Sequence, residues 1–173
     1  MKTKFHEKLR LLTFTGVLTA LTAAATMLIR IPTPTKGYLN LGDTLVNLSA
    51  WLLGPVYGAA AGGIGSALAD LLSGYAVYCP ATLVIKCLMG LAAWGVWHLL
   101  AKRGNIKARI TAAIVSELVM IVGYAVFEGF LYGSAAQALL SVSGNLVQGI
   151  FGASCSVLLY ETLLRHLPIP TKR

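Results

Sequence analysis

Nine side chains in this sequence could together build a polar site: Asn40, Asp43, Asn47, Asp70, Tyr75, Lys86, Glu128, Asn145 and Gln148. Carboxylates, one ammonium, amides and a phenol suit a small planar heterocycle bearing hydroxyl groups, held by stacking on tyrosine and by hydrogen bonds to ring nitrogens. Lys86 could donate to a ligand oxygen or ring nitrogen, and Asp43 or Glu128 could accept from a ligand hydroxyl. Each residue also has a plainer reading. Asp43 could cap a helix, Asp70 and Lys86 could form a buried ion pair, and tyrosines are ordinary at a membrane interface. The set favours a site, because ionisable groups inside apolar stretches are costly and structural pairs have no reason to gather at one depth.

That depth depends on the elements that carry these residues. Breaks at Ile31–Thr35, Gly54-Pro55, Ser73–Pro80, Lys102–Arg109 and about 133–140 separate six apolar stretches. They predict helices over about 8–29, 43–53, 56–72, 80–100, 110–132 and 141–164. The second and third are weak as spans. The expected fold is an all-α membrane protein, one domain over 1–173, packed as a compact bundle of six transmembrane helices. Orientation follows from the 14 Lys and Arg residues. With a cytoplasmic N-terminus, the inside receives Lys2, Lys4, Lys8, Arg10, Lys102, Arg103, Lys107, Arg109, Arg165, Lys172 and Arg173. The outside receives Arg30 and Lys36 alone, with Lys86 left inside a span. Eleven basic residues against two place both termini in the cytoplasm. The nine polar residues then sit in the outer half, where a cavity open to the outside would collect them. Glu117 and Glu161 fall toward the inside, as helix contacts or interface groups.

Composition requires lipid as the solvent. Of 173 residues, 57% are hydrophobic and 12% charged, and the mean hydropathy is +0.75. A soluble domain carries roughly twice that charged fraction. At ~20 residues per span, little chain remains for a soluble domain. The net charge of +8 is explained by loop placement, so no nucleic-acid partner is expected. Cys79, Cys87 and Cys155 have neither metal-ligand spacing nor a redox pair, and read as free thiols. No metal or cofactor is expected. The basic N-terminus followed by an apolar run resembles a signal peptide, but the run continues to about Ile29 without a cleavage site, as a retained helix does.

Two further features concern partners and motion. Gly16, Ala20 and Ala24 recur at four-residue spacing, as do Gly58, Gly62 and Ser66 with Ala69 beside them. Small residues on one face let helices approach closely in lipid. One stripe can serve internal packing; two suggest that one meets another polypeptide. The loop Lys36–Gly42 is long enough to act as a lid, with Gly37 and Gly42 as hinges.

The segments LNLGDTLV at 39–46, LGPVYGAAAGGIGSALADLLSGY at 53–75 and CPATLVIKCLMG at 79–90 carry a family resemblance over about residues 10 to 165. The chain resembles S-components of energy-coupling-factor (ECF) vitamin transporters, in the branch for hydroxymethylpyrimidine, pyridoxine or riboflavin-type substrates. The resemblance implies a six-helix subunit of a bacterial plasma membrane that captures a vitamin from outside. It further implies docking, through small residues of the first helix, onto a membrane coupling subunit driven by two ATPase subunits. The family's Ala-x-x-x-Ala motif is matched by Ala20 and Ala24. Pyridoxine or hydroxymethylpyrimidine is the expected substrate, with riboflavin or another vitamin as the alternative.

Two other classes compete. An intramembrane enzyme could draw two carboxylates from Asp43 and Asp70, but no Gly-x-Gly-Asp motif accompanies them. His6, His98 and His166 lie at the cytoplasmic ends, far from those carboxylates. No P-loop is present, so energy must come from a partner. A ligand-free scaffold would bind nothing and would ignore changes at Lys86. The expectation is a binding subunit and no enzyme.

Overall fold

A computed structural model of the chain describes residues 2–32, 38–100 and 106–163, with side chains from residue 5 onward. Six helices make up almost all of it: α1 (Lys2–Leu28), α2 (Gly42–Leu53), α3 (Pro55–Leu72), α4 (Cys79–Leu100), α5 (Ile106–Tyr132) and α6 (Ala135–Thr162). Two short strands, β1 (Ile31–Pro32) and β2 (Tyr38–Leu39), pair antiparallel with Ile31 opposite Leu39. The tip of this hairpin, with Lys36 and Gly37 of the expected lid, lies outside the described residues. So do Lys102, Arg103 and the chain beyond Leu163, with Arg165, His166, Lys172 and Arg173.

α2 is the centre of the bundle. It is buried on every side except at Leu45, its polar Asp43, Thr44, Asn47 and Ser49 included. The other helices surround it in the order α1, α3, α4, α5, α6, each packed on the next. Glycine makes the α2–α3 hairpin possible. Gly54 takes a φ of +83°, a conformation that costs other residues energy, and Pro55 opens α3 where its missing N–H costs nothing. A Cβ on Gly58 would lie 2.5 Å from the Ala50 backbone, and one on Gly65 2.6 Å from the Thr19 carbonyl. The small stripe of α3 is thus consumed in internal packing. That of α1 is not: Gly16, Ala20 and Ala24 face outward, while Leu11, Leu18, Thr22 and Thr26 face the bundle.

Among the described residues, four helices are long and apolar enough to cross a membrane: α4, α5, α6 and the Phe5–Leu28 part of α1. α2, with 12 residues, reaches only ~18 Å against a hydrocarbon core of ~30 Å. Leu118, Val122 and Val126 of α5 and Leu139, Leu146 and Ile150 of α6 are among many large apolar side chains pointing outward. α5 starts at Ile106 and α6 at Ala135, both earlier than their apolar runs indicate. The first turn of α5 carries Lys107 and Arg109, which lack the hydropathy that marks the rest, and that of α6 carries Gln137 as its one polar residue.

The interior has two ends. Leu11, Trp51, Ala61, Ala112 and Tyr160 pack together at one, where Trp51 donates its indole N–H to the Ala93 carbonyl at 3.3 Å. Polar groups collect at the other.

Candidate functional site

At the polar end a cavity of about 80 Å³ opens between the hairpin and α3, α4, α5 and α6. Its polar lining comes from Tyr38 and Asn40 after the hairpin turn, Asp70 at the end of α3, Tyr78 and Thr82 at the start of α4, Tyr124 and Glu128 of α5, and Ser141, Asn145 and Gln148 of α6. Helix periodicity puts them there. Tyr78, just before α4, precedes Thr82 and Lys86 at four-residue spacing along one face of that helix; Tyr124 and Glu128 repeat the spacing on α5, and Ser141, Asn145 and Gln148 approximate it on α6.

Eight of the nine expected residues divide into two layers. Asn40, Asp70, Glu128, Asn145 and Gln148 line the cavity. Asp43, Asn47 and Lys86 do not: they form a closed network with α5 and α6, and each is almost wholly buried. The Lys86 ammonium forms an ion pair with Asp43 and faces the Tyr124 ring at 5.4 Å. Lys86 therefore pairs with Asp43 and not with Asp70. The second Asp43 oxygen accepts from the Gln148 amide at 2.6 Å, and the Gln148 carbonyl accepts from the Asn40 backbone N–H at 2.8 Å. A continuous chain of bonds thus ties the hairpin to α6, α2 and α4. Asn47 donates to Glu117 at 3.0 Å and accepts from Ser116 at 2.6 Å. Glu117, expected among contacts toward the inner side, belongs to this buried network beside Asp43, and Gly149 and Gly152 leave room for it.

Asp43 does not cap α2. The N-cap of α2 is Leu41, without a side-chain cap bond, and the Asn40 side-chain oxygen accepts the Gly42 N–H at 2.8 Å. Gly42, expected as a hinge, is required for close approach: a Cβ there would fall 2.1 Å from the Thr26 hydroxyl. Tyr75 does not line the cavity. It is half-buried and packs its ring against Tyr38 at 4.6 Å, outside the lining.

Around the cavity, Tyr38 donates to Asp70 at 2.6 Å and Tyr78 to Glu128 at 3.3 Å. Thr82 and Tyr124 share a bond at 2.9 Å, and Asn145 donates to Ser141 at 3.0 Å. Burial, and then the bond to Asp70, push the Tyr38 hydroxyl well above its usual range, so it remains a donor. Tyr78, Thr82, Tyr124 and Ser141 were missed as site residues because hydroxyls are common in apolar helices. Four-residue spacing, Tyr78–Thr82–Lys86, Tyr124–Glu128 and Ser141–Asn145, was the available signal. No cluster of His, Cys, Asp or Glu suited to a metal occurs among the described residues, and all three cysteines are free.

Comparison with known proteins fits this arrangement. Residues 6–165 match the family described as "ECF-type riboflavin transporter, S component". An uncharacterised protein of Pyrococcus woesei is 38% identical over 128 residues, covering 73% of this chain and 83% of that one. The thiamine precursor transporter HmpT of Lactococcus lactis subsp. cremoris is 29% identical over 154 residues, covering 88% of this chain and 86% of HmpT. Among solved structures, the S component of a bacterial ECF transporter superposes with a TM-score of 0.70 at 22% identity, covering 93% of this chain and 99% of that one. That likeness concerns the fold.

Proposed function

The chain belongs to the S-component family of ECF-type riboflavin transporters, a family of membrane-embedded binding subunits and not of enzymes, and from that premise we propose what it binds and how it sits. It captures a single-ring vitamin or vitamin precursor, pyridoxine or hydroxymethylpyrimidine, in the cavity beneath the β1–β2 hairpin. The observation that carries this reading is the cavity itself, lined with polar groups from four helices and the hairpin strand. Its volume of about 80 Å³ falls below the ~300–1,000 Å³ of sites for drug-sized ligands, which favours one ring over three. The similarity to HmpT supports a thiamine precursor. Riboflavin is the second reading, favoured by the family's description, and would require the hairpin to open further.

In this proposal all six helices are counted as crossing or entering the bilayer, both termini are cytoplasmic, and the cavity faces outside. The loop charges support that orientation. S components of this family pair with a coupling and ATPase module; here we assign two ATPase subunits and one coupling subunit, docked on Gly16, Ala20 and Ala24. The outward direction of that face supports the docking, since a Cβ on Gly16 would meet nothing within 4 Å. Mass spectrometry of the small molecule that co-purifies with the chain tests the proposal. Recovery of a one-ring vitamin precursor is expected; recovery of riboflavin would favour the second reading.

A further inference from the structure

At the Trp51 end of the molecule, the seam between α5 and α6 opens outward as an apolar groove of about 480 Å³. Ala113 and Ala153 are too small to fill it, while Ile110, Ile114, Ile150 and Leu158 stand 41–62% exposed along it. Ile114, Ile150 and Ala153 carry it on into a narrower stretch of about 120 Å³ that reaches Ile121. From Ile106 to Ile121 a helix rises ~22 Å, more than the ~15 Å of one half of the hydrocarbon core. The groove is long enough for an acyl chain of one leaflet. Its mouth is charged. Glu161 lines it and pairs with Arg109 at 2.5 Å. Arg109 is held in place, its guanidinium 3.7 Å from the Tyr160 ring centroid and 5.7 Å from that of Trp97, and its Nε is buried without a hydrogen bond. Lys107 is exposed, and it precedes Ile110 by three residues and Ile114 by seven, the spacing of one helix face. Two basic side chains against one carboxylate leave the mouth with one positive charge in excess.

We infer that this groove seats an anionic glycerophospholipid, one acyl chain lying along the α5–α6 seam and the phosphate meeting Lys107 beside Arg109. The inference is independent of what the polar cavity binds; it needs only that α5 and α6 cross the bilayer. Charge selects the headgroup. A phosphodiester with no cation of its own complements the excess positive charge, as basic pockets between membrane helices do for acidic lipids. A choline headgroup would bring a second cation to the same mouth. Charge also argues against a second copy of this chain as the occupant. Copies in one membrane share one orientation, so a two-fold contact through this seam would set Lys107 against Lys107 at the same height.

The test is native mass spectrometry of the purified full-length chain in detergent, with phosphatidylglycerol, phosphatidylethanolamine and phosphatidylcholine of identical acyl chains added in equal amounts. Retention of one phosphatidylglycerol per chain is expected, with a preference of about fivefold or more over the other two lipids. Lys107→Gln, an exposed change that leaves the Arg109–Glu161 pair intact, should reduce that preference to roughly twofold or less. Ile114→Trp fills the groove and should remove the retained lipid. Leu88→Trp places the same bulk at a half-exposed position of α4 and should retain the lipid as the parent does, which separates a filled groove from a general effect of tryptophan. Equal retention of the three lipids, or a phosphatidylglycerol preference unchanged in Lys107→Gln, overturns the headgroup assignment. Lipid retention unchanged in Ile114→Trp overturns the groove as its seat. A dimer of the parent chain that Ile114→Trp dissociates would make a second copy the occupant and overturn the inference.

Discussion

Replacing Lys86 by methionine would leave Asp43 charged, buried and without its counter-ion. Breaking a buried pair from one side costs ~3–5 kcal/mol, whereas removing both charges can be nearly neutral. Lys86→Met is therefore expected to lower the unfolding midpoint in detergent sharply. The double variant Lys86→Met/Asp43→Asn should recover a large part of the loss. A double variant as unstable as the sum of the singles would show that the pair is not coupled as the geometry requires. At the same scale, Tyr38→Phe removes a charge-assisted bond worth ~1.5–3 kcal/mol and leaves Asp70 with fewer donors. Ligand affinity measured by titration should change for that variant while the Trp51 end of the bundle keeps its packing. The sequence made the presence of these residues legible, because an ionisable group in an apolar run stands out. It did not make the pairings legible. Whether Lys86 meets Asp43 or Asp70 depends on the rotation of α4 against α2 and α3, which spacing within one helix leaves undetermined.

At the scale of elements, the hydrophobic breaks located all six helices, and the glycine-rich run of α3 announced close packing. What the pattern could not assign was the direction of each small-residue face. The α3 stripe is buried against α2 and the α1 stripe is turned away from the bundle, a distinction set by tertiary packing. Two expectations follow from that difference. Gly58→Val would drive its side chain into the Ala50 backbone, and overpacking of this kind typically costs ~1–3 kcal/mol or more. A control change at Gly95, where a Cβ meets nothing within 4 Å, should be tolerated. Folded yield by size-exclusion chromatography separates the two. On the α1 face, Ala20→Trp or Ala24→Trp should abolish uptake in cells and leave ligand binding to the isolated chain unchanged, because bulk there obstructs only an approaching helix. Loss of binding along with uptake would make that face part of the bundle's own packing.

The molecule as a whole is polarised, with an apolar end around Trp51 and Tyr160 and a polar end around the cavity. The clustering of ionisable groups at one depth pointed to a polar end in advance, and loop charge supplies its proposed orientation. Part of the site stayed hidden in the sequence because the cavity is finished by hydroxyls and by the hairpin strand, none of which carries a charge to mark it. The orientation is tested by introducing cysteine at Lys36 or Asn105 in a chain whose three native cysteines are replaced, then labelling intact cells. Position 36 should react from outside and position 105 should not; the reverse would invert the molecule. The central claim, that the outer cavity holds the substrate, is tested most directly by isothermal titration with the co-purifying small molecule. Parent chain, Asp70→Ala, Asn145→Leu and Glu161→Gln are compared. The two cavity variants should each lose about tenfold or more in affinity, corresponding to ~1.4 kcal/mol or more, and Glu161→Gln, at the opposite end of α6, should match the parent. Parental affinity in both cavity variants would contradict the account.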